Sequence, residues 1–514
     1  MNRSVFTIFL AALISSLALQ VASEETESPP KRSTIKLSLD EAIIRTLNSN
    51  LNIEISSLTP KINRESVVVA RSVFDPVFSN SLTASRSLSE SSTSTTGTNR
   101  LRTDTFTLGP TLTHFLPTGA TWSSGVSIQK TRTNSPFAAF ESITGVSNPQ
   151  WTTSATFSIT QPLLRNMGFG FNYSSILIAE DTLSSSESAH QSEIMDTVQS
   201  TMTAYWSLLN ARENVLVERE SLARVEEFLR LTRLQVREGK MAPIEVYESE
   251  SNLAQQQESV LRSEKILTDA EDALKTLIDP LDKNLIWNVS LIPIDHPEIQ
   301  PIAVDAHQSA RTALRKRPIL EQNRLAVKSS RLSVLQARNQ VLPSLDASGS
   351  LQLTGDGHFS FGNSVDDGFS GEFYTWSFGL SFELPLGNRS FRAQLRQANY
   401  NAQKSLATLR GVESLVVMEV REAVRELRTT YQRYQVTRKG SEAARKRMEG
   451  EEKLFREGKS TNFRLQQLRS DLLLAQLREI TARVDHYKAM VDLERAEGTI
   501  LDNLAQRGIR IRGR

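Results

Sequence analysis

Arg237-Glu238-Gly239-Lys240 returns as Arg456-Glu457-Gly458-Lys459, 219 positions further along a chain of 514 residues. Four residues alone would say little, but the register holds well beyond them. At the same offset Val198 meets Val417, Leu208 meets Leu427, Ile244 meets Phe463, Val246 meets Leu465, Leu253 meets Leu472 and Leu274 meets Leu493. Apolar positions kept in step over about 70 residues mark an internal repeat, and a repeat of this length fixes the architecture before any single element does.

The earlier parts of each half align at a second offset, 267: Leu47 with Leu314, Ala70 with Ala337, Arg71 with Arg338, Pro76 with Pro343. The offset changes between prolines. Pro76 to Pro162 spans 86 residues and Pro343 to Pro385 spans 42, so the first half carries about 44 extra residues, expected to be an additional pair of strands.

Each half reads in one order. A helical stretch comes first, at about 39–73 and 304–341; Asp40 and Glu41 suit a helix N-terminus, where the helix dipole favours acids. A Ser-, Thr-, Gly- and Phe-rich segment with alternating apolar residues follows. A long helix then runs to the Arg-Glu-Gly-Lys turn, whose glycine fits a helix C-cap, and a second helix returns. The layout expected is a signal peptide at 1–23 and a linker at 24–38. The first repeat is 39–280, with its β segment at 77–163 and its helical hairpin at 172–278. A linker at 281–303 leads to the second repeat, 304–505, with β segment 344–384 and hairpin 388–504, and then a basic tail at 506–514. From Asn172 to Glu238 is 67 residues, or ~100 Å of helix at ~1.5 Å per residue. Val198, Met202, Tyr205 and Leu209 are spaced as in a coiled-coil seam, and Leu222, Val225 and Leu229 repeat the pattern. Packing accounts for nearly all of these seam residues.

The β segments differ from the helices in charge. Residues 105–129 and 151–164 carry none and 373–386 only Glu383, whereas the helices are crowded with Arg, Lys and Glu. Trp122, Trp151, Phe157, Tyr374, Trp376 and Phe378 suit the aromatic girdles of a membrane barrel. A soluble sandwich is the competing reading of the same composition. Four strands are expected in the first half, at 77–86, 103–116, 121–131 and 151–163, and two in the second, at 344–353 and 374–384. Pro117-Thr118-Gly119 is a tight turn, while the connections near 87–102 and 132–150 are long and polar, the asymmetry of outer-membrane barrels. The extra pair either joins the barrel wall or folds outside it as a collar.

The first 23 residues read as an export signal: Arg3, an apolar run at 5–19, then Val21-Ala22-Ser23. A net charge of +2 implies no strong attraction to nucleic acid. The absence of cysteine excludes disulfides, thiolate metal sites and a cysteine nucleophile. Six scattered histidines suggest no metal cluster, and no nucleotide loop, His-Glu-x-x-His or Gly-x-Ser-x-Gly is present, so neither an enzyme nor a cofactor is expected. Gly168-Phe169-Gly170 reads as a strand-to-helix corner.

Local wording agrees with this order of elements. Leu37-Ser38-Leu39-Asp40-Glu41-Ala42-Ile43 followed by Leu47-Asn48-Ser49-Asn50, then Arg317-Pro318-Ile319-Leu320, Leu342-Pro343-Ser344-Leu345 and Leu384-Pro385-Leu386-Gly387-Asn388-Arg389, resemble the TolC-like outer-membrane factor family over nearly all of the chain beyond the signal. The resemblance implies a mixed α and β fold, in which membrane strands and a long coiled-coil hairpin are duplicated. It also implies a homotrimer in outer-membrane lipid of a Gram-negative bacterium, extending into the periplasm. There a periplasmic adaptor and an inner-membrane pump would drive passive exit in tripartite efflux or type I secretion. The alternative is a non-conducting coiled-coil tether of the outer membrane. Physics also asks for several copies: four to six strands are fewer than the ~8 of a small closed barrel, and lipid forbids open edges.

The resemblance further marks Gly239, Lys240, Met241, Ala242 and Pro243, with Gly458, Lys459, Ser460, Thr461 and Asn462, as hairpin tips that dock the adaptor. In that family, acids six and nine positions past the turn glycine narrow the periplasmic aperture. Glu245 keeps one, but the second repeat has Arg464 and Gln467 there, so the acidic double ring is not reproduced. Glu245 and Arg464 are expected either to pair across neighbouring helices as a latch or to stand solvated.

Overall fold

The computed structural model describes residues 33–90, 100–134, 148–282, 286–301, 303–358 and 360–509. The expected signal peptide, most of the linker at 24–38, the end of the basic tail and the middles of the two long polar connections lie outside the described residues.

Each half opens with a helix pair broken at one equivalent place. β1 (Thr34–Leu37) leads into α1 (Leu39–Ser49) and α2 (Leu51–Arg71), separated by Asn50; in the second half α6 (Ala306–Lys316) and α7 (Pro318–Gln340) are separated by Arg317. The breaks are local chemistry. Asn50 Oδ1 accepts from Asn52 N at 2.9 Å, a side-chain cap that starts a new helix. Pro318 at the first position of α7 tolerates a helix start but not a helix interior. Four strands follow α2: β2 (Val77–Glu90), β3 (Arg100–Phe115), β4 (Thr121–Thr133) and β5 (Gln150–Pro162). Short α3 (Phe169–Asn172) then turns the corner into α4 (Ser174–Arg237) and its return helix α5 (Ile244–Ile278). After β6 (Ser290–Pro293) and the α6–α7 pair come β7 (Ser344–His358), α8 (Phe361–Ser370) and β8 (Tyr374–Glu383). The second hairpin is α9 (Arg389–Arg456) and α10 (Asn462–Glu497). A Gly498 break at φ 74° separates these from α11 (Ile500–Gln506).

The 64 and 68 residues of α4 and α9 correspond to ~100 Å each. Near the sheet α2, α4, α7 and α9 lie side by side; away from it the order is α5, α4, α10, α9. The result is a single layer of helices with two open sides. No described helix is long and apolar enough to cross a membrane.

The segments expected as linkers hold a small parallel sheet, β1 with β6, which caps the larger core. Leu37, Ile43, Tyr205, Leu208, Leu274, Ile278, Leu291, Tyr487 and Ile500 meet there. Buried Glu271 accepts from Leu291 N, and Lys275 Nζ, 3.4 Å from Glu271, donates to Trp287 O; together they pin β6 to α5. The second core, around Leu320, Val416, Val420, Leu427 and Leu493, is its smaller counterpart. On its edge His486 is buried, which lowers its pKa.

The six long strands form one antiparallel sheet in the order β2-β3-β4-β5-β7-β8. The extra hairpin is therefore part of this sheet: β3 pairs with β2, and β4 with β5. Its tight turn lies at the helix-side end, where Gly168 N donates to Thr118 O at 3.0 Å and Asn172 Nδ2 donates to Pro117 O.

Because side chains alternate along a strand, the register sorts the sheet into two faces. One carries Leu82, Leu108, Leu112, Trp122, Val126, Ile128, Phe157, Ile159, Leu351 and Leu353, and on β8 Tyr374, Trp376, Phe378, Leu380 and Phe382. The other carries Ser79, Ser81, Thr83, Thr107, Thr111, Ser123, Ser127, Thr156, Ser158, Ser348, Ser350 and Ser377, joined by hydroxyl pairs such as Ser123–Ser158 at 2.7 Å and Ser350–Ser377 at 2.8 Å. Asp346 and Glu383 are on this hydroxyl face at its helix-side end. Tyr374, Trp376 and Phe378 are each more than 60% exposed, which water would not favour over three large aromatics in a row.

Candidate functional site at the hairpin tips

Both tips are built by the same backbone device. At the end of α4, Gly239 adopts φ 73°, its N–H donates to Val236 O, and Lys240 N donates to Gln235 O. At the end of α9, Gly458 adopts φ 71°, donates to Phe455 O, and Lys459 N donates to Leu454 O. This paired capping of the last carbonyls is a Schellman motif, and it needs a left-handed residue at the glycine. In both tips the lysine folds back on the preceding acid: Lys240–Glu238 at 2.7 Å and Lys459–Glu457 at 2.8 Å. The hydrogen bond to Glu238 raises the Lys240 pKa.

Beyond the glycines the two tips diverge. The first passes through Met241, Ala242 and Pro243 into α5 and leaves Ile244 and Tyr247 exposed. The second is tied down by polar contacts. Thr461 caps α10 through its hydroxyl, which accepts from Arg464 N at 3.4 Å. Ser460 Oγ donates to Glu451, a buried carboxylate on α9, and Arg464 Nε lies 3.1 Å from the same group.

The structure joins the two tips through Glu245 and Asn462. Buried Asn462 donates from Nδ2 to Glu245 Oε2 at 2.6 Å, while its Oδ1 accepts from Gln466 at 3.0 Å. Within one chain Glu245 and Arg464 do not pair with each other: each has another partner, because the start of α10 presents Asn462 to Glu245 and turns Arg464 back towards α9. Gln467 donates to Asp471 on its own helix at 3.2 Å. Glu451 escaped the sequence reading. Its counterpart at the repeat offset is Thr232, so the repeat gives no hint of an acid there, and its partners come from across a turn.

Higher in the hairpins, Phe228 of α4 meets Phe455 of α9 at 5.9 Å, with the Arg469 guanidinium 4.8 Å above the Phe228 ring. Burial lowers the pKa of Arg469.

The outer membrane efflux protein family matches the chain over residues 121–278 and 310–499. No curated protein matches it in sequence. Among solved structures it is similar to the outer-membrane channel OprN, with TM-score 0.68 and 19% identity over 90% of each chain. The Campylobacter jejuni CmeC outer membrane channel gives 0.66 and 16%, covering 91% of this chain and 88% of that one. The open state of the Neisseria gonorrhoeae MtrE outer membrane channel gives 0.61 and 17%, covering 90% and 89%.

Proposed function

The chain belongs to the outer membrane efflux protein family, and from that premise we propose that three copies close into the exit duct of a tripartite efflux or type I secretion system. As a member of this TolC-like family it is an outer-membrane efflux channel that extends into the periplasm. The further steps, trimer, adaptor and pump, are our reading.

The observation that carries it is the six-stranded sheet with one apolar face, one hydroxyl face and two unpaired edges. β2 pairs only with β3 and β8 only with β7 among the described strands. In lipid each unsatisfied backbone group costs several kcal/mol, so neither edge can stay open there. With an even number of antiparallel strands, β2 of one copy meets β8 of the next in antiparallel sense, so closure continues the pattern. Three six-stranded sheets make eighteen strands, a size at which barrels enclose an aqueous lumen. Neutral hydroxyls would line most of that lumen, with Asp346 and Glu383 at its helix-side end. The helices would continue the wall into the periplasm. The adaptor would dock at the tips, Gly239 to Pro243 and Gly458 to Asn462, and Glu245, Arg464 and Gln467 would border the aperture. Energy would come from an inner-membrane pump, with no chemistry in this chain.

The natural chain lacks cysteine, so pairs of cysteines placed along β2 and β8 report cleanly on closure. Oxidised full-length protein should run as a covalent trimer and conduct in a planar bilayer. Cross-linking that stops at dimers, or trimers without conductance, would refute the duct and favour a tether.

A further inference from the structure

The apolar face of the sheet changes character at one level. From the helix-side end it is mostly apolar, with Asn80, His114 and Ser124 as exceptions, up to Leu82 on β2, Phe106 on β3 and Ile128 on β4. On β8 this band runs from Phe382 to Tyr374, eight residues or ~26 Å along the strand, close to the apolar height of outer-membrane barrels. Immediately beyond it the same face becomes cationic. Arg86 faces Asp104, Asp104 faces Arg132, and Lys130 faces Phe106; Arg102 is two residues from Asp104 on the same side. Asp104 is gripped by Arg86 and Arg102, each at 2.6 Å. Four cations thus share one carboxylate, and Glu90 and Arg100 opposite each other at the strand ends cancel.

A second observation marks the same level. Between β7 and β8 the chain does not loop away; α8 folds back onto the apolar face. Ser364 Oγ lies 3.0 Å from Thr153 Oγ1 and 3.2 Å from Gly355 O, and Thr153 shares its face with Ile128. Phe361 packs tilted against Trp151 at 5.4 Å, and Lys130 Nζ is 5.0 Å from that Trp151 ring. The helix turns its small residues, Ser364 and Gly368, to the wall and leaves Phe361 and Phe369 about half exposed. Half-exposed phenylalanines at the boundary between an apolar band and a charged rim are placed as in a helix lying in a membrane interface. Its acids, Asp366 and Asp367, are on a helix packed over β5 and β7, next to the strands that carry the cations.

We propose that this rim, Arg86, Arg102, Lys130 and Arg132, binds the phosphorylated sugar headgroup of outer-leaflet glycolipid. The proposal rests on the membrane reading above, which puts the apolar face in lipid and the helix-remote end in the outer leaflet. Guanidinium groups offer planar paired donors that match phosphate oxygens, and clustered cations beside an apolar surface select anionic headgroups. α8 extends the collar on the neighbouring strands, where its phenylalanines would enter the acyl boundary.

The test uses full-length trimer in detergent, with bisphosphorylated lipid A and the same lipid after enzymatic dephosphorylation as probes. Native mass spectrometry should show wild type retaining the phosphorylated lipid, and Lys130→Gln/Arg132→Gln retaining at least tenfold less. Lys130→Arg/Arg132→Lys, which keeps the charge, should retain it. Dephosphorylated lipid should not be held by any of them. Equal retention by the glutamine variant, or of the dephosphorylated lipid by wild type, would overturn the proposal. Conductance keeps this separate from the duct reading: the glutamine variant should still conduct, whereas a wild type that does not conduct refutes the duct.

Discussion

At Gly239 and Gly458 the fold asks for a left-handed backbone and nothing more. A Cβ added at either position meets no atom within 4 Å, so the cost of a side chain is torsional alone, about 1–2 kcal/mol for an ordinary L-residue and less for asparagine. Replacing both glycines with valine should therefore deform the tips and abolish transport while trimers still assemble. Replacing both with asparagine should leave transport near normal. Susceptibility of a pump-bearing host to exported drugs, with trimer followed on gels, reads both; normal export by the double valine variant would show that tip geometry is dispensable. The same residues show what can be read from sequence. Positive φ is written almost directly as glycine, so the turns were legible. The partner of a carboxylate is not: Glu245 and Arg464 look complementary in one dimension, yet Asn462 and Glu451 reach them first. Packing of helix starts, rather than charge sign, chose the partners.

Among the elements, the six long strands fall within a few residues of their expected bounds, except where the structure extends them outward: β2 to Glu90 and β7 to His358. Period-two alternation survives in a single sequence because one face must be apolar and the other not. The return helix of the second half was expected as one piece and is broken at Gly498. β1 and β6 were read as linkers, since four residues each show no period and the pairing spans 256 positions. α8 was missed because Phe-Gly-Asn-Ser-Val-Asp-Asp-Gly-Phe-Ser has poor helix propensity. Its contact with the wall holds it, and that contact has a sharp requirement. A Cβ at Gly355 would lie 2.2 Å from Ser364 O and 2.3 Å from Gly368 N, both backbone atoms that cannot yield cheaply. Gly355→Val should lift α8 from the wall while strands β5 and β7 stay paired. Hydrogen exchange should then quicken at 361–370 and not in the strands; unchanged exchange in α8 would show that the wall does not hold it.

For the whole molecule, the question is what the inserted hairpin does to the duct. An insertion that paired only with itself would leave the barrel at the twelve strands of two per repeat. Here β3 and β4 separate β2 from β5, so the insertion widens the sheet and, in the proposed trimer, would widen the wall. The insertion was legible as a surplus between prolines; its place in the wall was not, since alternation reports faces and never neighbours. Removing it is geometrically permitted. β2 and β5 run in opposite senses, so a chain lacking residues 91–147, with a short turn joining Glu90 to Asn148, can pair them directly. Barrel diameter grows about linearly with strand number, so twelve strands should give roughly two-thirds of the diameter and under half of the cross-section. Total conductance is a poor gauge of this change, because the proposed periplasmic aperture would lie in series and would limit the current. Neutral polymers added at the outer face probe the barrel alone: they enter its mouth and reduce current only when small enough to fit. The excluded polymer size should fall clearly in the shortened chain while the tips and aperture remain as they were. An unchanged cut-off would mean that β3 and β4 stand outside the lumen wall of the assembled trimer, and that neighbouring copies meet along other strands.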